Sequence, residues 1–140
     1  MVDQPIKKVM KKGKYLTARP GANVEDICRR MAKKNVGAVL VVEADQLIGI
    51  FTERDVVFRV VAKGLNAQQT SVGDVMTKSP YIMDPEASYG HAMLLMHEKG
   101  FRHVPVVSDG RPIGVVSSRN AMDPDLEDFV AEARRREHHR

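Results

Sequence analysis

The feature that most constrains this chain is that it is written twice. Sliding the sequence along itself by 65 residues superimposes Val41-Val42 on Val106-Val107, Gly49 on Gly114, Met31 on Met96, Ile48 on Ile113, Arg54 on Arg119 and Pro20 on Pro85. Thr52 falls on Ser117. Val9-Met10 falls on Val75-Met76 at an offset of 66, so the first copy carries one extra residue around Lys11 to Leu16. A period of this kind marks repeated supersecondary units that bury their apolar faces against each other. A unit of about 60 residues hides only about 60% of its unfolded surface by itself. The two copies are therefore expected to pack as one body.

Each copy repeats the same order of patterns. In the first, Asn23 is an N-cap candidate with Asp26 three residues later, and Val24, Ile27, Cys28 and Met31 share one helical face. In the second, Ser88 takes the cap position and Tyr89, Ala92, Met93 and Met96 form the stripe. Two short β-branched runs follow, Ala38 to Val42 and Leu47 to Phe51, around the turn-like Glu43-Ala44-Asp45-Gln46. Their counterparts are His103 to Val107 and Pro112 to Val116, around Ser108-Asp109-Gly110-Arg111. A second helix is expected after Thr52, with Val56, Val57, Val60 and Val61 turned inward and Gly64 ending it. In the second copy Pro124 interrupts that helix. Asp123-Pro124 opens a new one, with Leu126, Phe129, Val130 and Ala133 on one face and Arg134 to Arg136 at its C-terminal end. The divisions read from these patterns are a first copy over 6–64, a linker over 65–71, a second copy over 72–122 and a C-terminal helix over 123–140.

Composition narrows the class. Hydrophobic residues make up 43% of the 140 residues and charged residues 29%, ordinary globular usage. No apolar run approaches the roughly 18 residues of a membrane span, and the charged start from Met1 to Lys14 lacks a signal peptide's apolar stretch. Cys28 is the single cysteine, so no internal disulfide forms, and no Cys/His spacing suits zinc. A soluble, cytoplasmic protein without a metal is expected. The net charge of +4 biases the chain mildly towards anions. With no Trp and 5% aromatics it is poor in the stacking platforms of single-strand binders. The basic run Lys7, Lys8, Lys11, Lys12 and Lys14 reads first as a solvated flank, with a contact to nucleic acid or an acidic partner as the alternative.

Thr52-Glu53-Arg54-Asp55 is the sharpest local motif, since it joins a strand to a helix and ends in a carboxylate. Two readings are open and compatible. In one, Thr52 caps the helix and Asp55 reaches back to a backbone N–H. In the other, the free N–H groups and the Thr52 hydroxyl face a phosphate while Asp55 accepts hydrogen bonds from ribose hydroxyls. Arg102-His103, beside an apolar strand, is a second polar feature where the first copy has Gly37-Ala38. The bland reading exposes Arg102 and half-buries His103. Met31, Met93 and Met96 read as core filling. His91 and His97, six apart, do not share a metal-binding face, and His138-His139 reads as a frayed end. Neither a phosphate loop, a nucleophile elbow nor a catalytic carboxylate pair is present, so no enzyme activity is expected.

Together the "VM" openings, the extended Leu16-Thr17-Ala18-Arg19-Pro20 and Tyr81-Ile82-Met83-Asp84-Pro85, the strands "GAVLVV" and "RHVPVV", and the endings "GIFTERD" and "GVVSSRN" resemble the CBS domain, here as the tandem pair called a Bateman module. The resemblance covers about residues 6 to 122. It implies an α/β fold of two βαββα units packed through their sheets with pseudo-twofold symmetry, and two clefts that bind adenine nucleotides. It also implies a homodimer of pairs acting as an energy or redox sensor for a separate protein partner.

On that resemblance the first cleft combines Thr52, Arg54 and Asp55 with Tyr81, Ile82, Arg102, His103, Val104 and Pro105. Asp55 would hold the ribose, Arg102 and His103 the phosphate, and Tyr81, Ile82 and Val104 the adenine. The second cleft combines Lys14, Tyr15, Leu16, Thr17, Gly37, Ala38 and Val39 with Ser117, Ser118, Arg119 and Asn120. There Asn120 replaces the aspartate, and Gly37-Ala38 supplies no cation, so weaker or different selectivity is expected. The ligand implied is AMP, ADP or ATP, with NAD and S-adenosylmethionine as further candidates.

Overall fold

In the computed structural model, residues 3–10, 15–118 and 132–137 are described. The first apolar stripe forms helix α2 (Val24–Lys34), where Asn23 Oδ1 accepts the Asp26 N–H at 2.9 Å and Val24, Ile27 and Met31 turn inward. It stops at Asn35, whose φ of 54° is left-handed, a conformation Asn tolerates at a helix end. The second stripe forms α5 (Tyr89–Lys99), with Ser88 Oγ accepting the His91 N–H at 3.0 Å and Tyr89, Ala92 and Met96 buried.

Each stripe is followed by a hairpin, β2 (Ala38–Glu43) with β3 (Gln46–Thr52), and β5 (His103–Ser108) with β6 (Arg111–Ser117). Ala44 and Asp45 have φ of 51° and 64°, and Asp109 and Gly110 of 52° and 79°. Both turns thus have positive φ at both central positions, which suits the right-handed twist of the strands. Strand β1 (Leu16–Ala18) runs parallel to β2, and β4 (Thr77–Lys78) antiparallel to β3, giving the order β1-β2-β3-β4. In the second copy Met83 bridges Val106 in the same parallel sense. Residues 65–71 lie over the start of α2, where the Thr70 and Ala67 carbonyls accept the Val24 and Glu25 N–H groups at 2.9 and 3.1 Å.

The opening helices cross over. Ile6 and Met10, from the α1 segment (Ile6–Val9) and its end, lie in a core with Met83, Tyr89, Ala92, Met96, Val104, Val106 and Val116. Val72, Val75 and Met76, from α4 (Val72–Val75) and its end, lie with Val24, Ile27, Met31, Val39, Val41 and Phe51. Each opening therefore completes the core of the other copy. A side chain at Gly114 would start 2.8 Å from the Met10 sulfur, and one at Gly49 would overlap the Met76 sulfur. A third apolar cluster joins the copies, Ala38, Leu40 and Ile50 packing with Tyr15, Leu47 and Val115.

The helix after Thr52 departs from expectation. A short turn, α3 (Glu53–Asp55), runs into a π-helical segment Val56–Val61. There Ala62 N–H bonds to Val57 O and Leu65 N–H to Val60 O, both five residues back. Each such turn holds more residues than an α-turn and rotates the following side chains out of phase. Val60 is buried, but Val57 and Val61 are 55% and 69% exposed, beside Phe58 at 55%. The expectation that all four valines face inward is corrected to one fully buried valine. The expected helix start at Asp123-Pro124, with Leu126, Phe129 and Val130, lies outside the described residues. Residues 132–137 are helical, but Ala133 is exposed rather than on a buried face.

Candidate functional site

Strand β3 ends at Thr52 and the chain turns at once into α3. The capping reading is realised in full: Asp55 Oδ2 accepts the Thr52 N–H at 2.9 Å and the Thr52 hydroxyl at 3.2 Å, while the Asp55 N–H donates to Thr52 Oγ1 at 3.4 Å. Asp55 is the one buried charged residue among those described. Its Oδ1 lies 3.4 Å from Nε of Arg59, one turn on, an orientation that favours an acidic residue before a basic one. Arg54 does not join this group, because its guanidinium covers the Phe58 ring at 4.4 Å.

Cross-strand register aligns the corresponding ends of the two hairpins, Ala38 opposite Thr52 and His103 opposite Ser117. The Glu53 N–H donates to Gly37 O at 3.1 Å, and the Ser118 N–H repeats the bond to Arg102 O at 3.0 Å. His103 of the second copy reaches the helix start of the first. Its Nε2 lies 3.1 Å from where a Gly37 side chain would begin, and the Glu53 carboxylate overlaps the same position. Gly37, assigned from the sequence to the second cleft, thus adjoins His103 of the first. Arg102 is exposed next to it.

Tyr81 and Ile82 are 54% and 52% exposed. The Tyr81 ring stacks on Phe101 at 5.7 Å between centroids, with Lys99 Nζ 5.4 Å from the ring centre. This stack is an apolar platform of the kind a planar base covers. Val104 and Pro105 are buried, and Val104 belongs to the second core, so they offer a ligand no exposed side-chain surface. Sequence reasoning missed Glu53, Arg59, Lys99 and Phe101. Only Glu53, inside the motif, and Phe101, next to Arg102, had a local signal.

For the second cleft, Tyr15 crosses between copies, its hydroxyl donating to Pro112 O at 3.3 Å. Leu16 and Thr17 pair with Val39 and Leu40, and Thr17 O accepts Arg30 Nη2 at 2.9 Å. Ala38 and Val39 are buried, while Ser117 is half-buried and Ser118 exposed. Lys14, Arg119 and Asn120 lie outside the described residues, as do Lys11, Lys12, His138 and His139.

A cavity of about 250 Å³ at the hairpin seam is lined by Leu47, Pro80, Ile82 and Val107 among others, and of the residues expected in the first cleft it includes Ile82 alone. Asp55 does not line it. Among the described residues no cluster of His, Cys, Asp or Glu could hold a metal ion, and no helix is long and apolar enough to cross a membrane. Burial, and secondarily the Glu25 charge, push the Cys28 thiol up, which disfavours a reactive thiolate.

The model of the CBS domain matches residues 6–62 and again residues 72–124. The chain belongs to the CBS domain family. It is 39% identical over 124 residues to the meiotically up-regulated gene 70 protein of Schizosaccharomyces pombe, covering 80% of this chain and 17% of that protein. The chain spans about a fifth of the length of the first curated relatives it matches. A CBS domain crystal structure superimposes with a TM-score of 0.79 at 26% identity, covering 92% of this chain and 99% of that one. A CBS domain pair solved with 5′-methylthioadenosine and S-adenosyl-L-methionine shares the fold, with a TM-score of 0.76 at 22% identity over 84% of this chain and 95% of that one. The α/β tandem CBS pair expected from the resemblance is thereby established. CBS domains are in general regulatory, non-catalytic modules.

Proposed function

We propose that this CBS pair is a regulatory module that binds an adenosine-containing ligand and passes its presence to a protein partner. The observation that carries the reading is Asp55, a buried carboxylate at a helix start on one copy, a start whose first residue, Glu53, meets His103 of the other copy around Gly37. A carboxylate there accepts the two hydroxyls of a ribose, Arg102 and His103 face a phosphate, and the Tyr81–Phe101 stack receives the base. The adenosyl compounds held by a neighbour of the same fold support this ligand class. AMP, ADP, ATP, NAD and S-adenosylmethionine share the groups these residues address. The second cleft, with Asn120 for Asp55, is the weaker site. A second copy of the pair would cover Val57, Phe58 and Val61. The cytoplasmic setting of this reading rests on the single cysteine.

Of the basic residues that the nucleic-acid alternative would use, Lys7 pairs with Glu86 at 2.7 Å and Arg135 with Glu132 at 2.7 Å. The test is a thermal-shift panel of the five compounds. A ligand at about 100 times its dissociation constant adds roughly 2.7 kcal/mol, so the midpoint rises by several degrees for the true ligand. No shift with any of the five, together with salt-dependent polynucleotide binding, overturns the reading.

A further inference from the structure

We infer that Arg59 is the positioning residue of the first cleft, tying the Asp55 carboxylate to the segment that carries the base platform. The argument starts from where its guanidinium goes. Nε lies 3.4 Å from Asp55 Oδ1, and Nη1 donates to Met76 O at 2.8 Å, with Val75 O at 3.5 Å. Those carbonyls end α4, where the chain passes from the core of the first copy into β4. Thr77 pairs with Ile50 and Lys78 with Gly49. Ser79 follows with a φ of 47°, its N–H bonded to Ile48 O at 3.3 Å, then Pro80 and the exposed Tyr81 and Ile82. One planar side chain thus joins the acceptor on the first copy to the root of the strand leading to the platform on the second.

Geometry and charge both fit this role. Oδ2 of Asp55 is held by the cap, so Arg59 alone, among the described residues, fixes Oδ1. A guanidinium presents several donors in a fixed plane and can serve a carboxylate and a carbonyl together. An ammonium serves them as a point charge on a flexible stem. At the repeat offset Arg59 falls on Pro124, which has neither charge nor donor. The second copy therefore has no guanidinium at that position, so in sequence the two clefts differ there as well as at Asp55 against Asn120 and at Arg102-His103 against Gly37-Ala38.

The ligand-side role rests on the reading of Asp55 as ribose acceptor; the tether itself does not. The test compares wild type, Arg59→Met, Arg59→Lys, Asp55→Asn and the double variant Asp55→Asn/Arg59→Met. AMP titration calorimetry reads the site, and amide hydrogen exchange of 77–79 without nucleotide reads the tether. Arg59→Met is expected to weaken AMP about tenfold, the scale of one charge-assisted contact, with Arg59→Lys recovering part of it. The double variant should bind no more weakly than Asp55→Asn, as coupled neighbours require. Exchange at 77–79 should quicken in Arg59→Met. Wild-type AMP affinity in Arg59→Met, or additive losses in the double variant, overturns the positioning role while leaving the functional reading intact. If wild type binds another of the five compounds in place of AMP, that compound becomes the titrant; if it binds none of them, the ligand-side role falls with that reading, and unchanged exchange at 77–79 overturns the tether too.

Discussion

In the proposed function Asp55 serves structure and recognition with one carboxylate. Its Oδ2 closes the cap with Thr52, so replacing it removes helix stability and ligand contacts together. Asp55→Ala is expected to lower affinity for the bound nucleotide by about 1.5–3 kcal/mol, or roughly 10- to 150-fold, measured by calorimetry. Thr52→Ala keeps the carboxylate and takes away the hydroxyl that caps the helix and donates to Asp55 Oδ2. It removes the side-chain acceptor at the N-cap, costing about 1 kcal/mol of stability, while leaving the carboxylate to face a ligand. Equal affinity losses in both variants would mean that the helix start, and not the carboxylate, makes the site. At this scale the sequence was readable where partners are three residues apart. Thr52 and Asp55 could be paired from spacing alone. Arg59 needs Met76, and Tyr81 needs Phe101, which only the folded chain brings near.

At the scale of elements, α2 and α5 sat where their stripes and caps indicated, and the π-helical segment did not. Residues 56 to 61 contain four valines, and an α-period puts them on one face; five-residue backbone bonds break that period, which no side-chain pattern announces. Helix α5 carries another contact that spacing could not reveal. Asp3 accepts from the Ser88 hydroxyl and, at 3.0 Å, from the Gly90 N–H, so the first described residue of the chain closes the N-terminus of α5. The Ser88 bond first, and the Gly90 N–H next, hold the Asp3 carboxyl below its ordinary value of 3.8. A depressed folded pKa contributes stability that is present above the unfolded value and lost as pH falls through the folded one. The midpoint gap between wild type and Asp3→Asn is therefore expected to be open at pH 7 and to close below about pH 4, followed by thermal unfolding. A gap that stays constant from pH 7 to pH 3 contradicts this account of the α5 cap.

Across the whole molecule, the exposed side of the π-helical segment is the face that the proposed second copy would cover. Val57, Phe58 and Val61 are more than half exposed on one short helix, and Leu65 adds 44%, more apolar surface than an isolated exposed side chain. If a second copy covers it, Val61→Asp shifts the mass measured by light scattering from dimer towards monomer while the melting midpoint at low concentration stays near the wild-type value. An unchanged dimer removes this face from the interface. The repeat itself was legible at this scale, because an offset of 65 residues is visible without a structure. The crossing of the two openings was not, since a repeated sequence does not say which copy each segment completes.

That crossing bears on how such a chain could arise. An ancestor encoding one copy would have carried an opening helix that its own core could not use, and a core lacking the helix it required. It would have been whole only as two molecules trading openings. Tandem duplication of such a gene would put both donors on one polypeptide and leave the two cores free to diverge. In this chain that divergence is visible as Asp55 and Arg59 against Asn120 and Pro124.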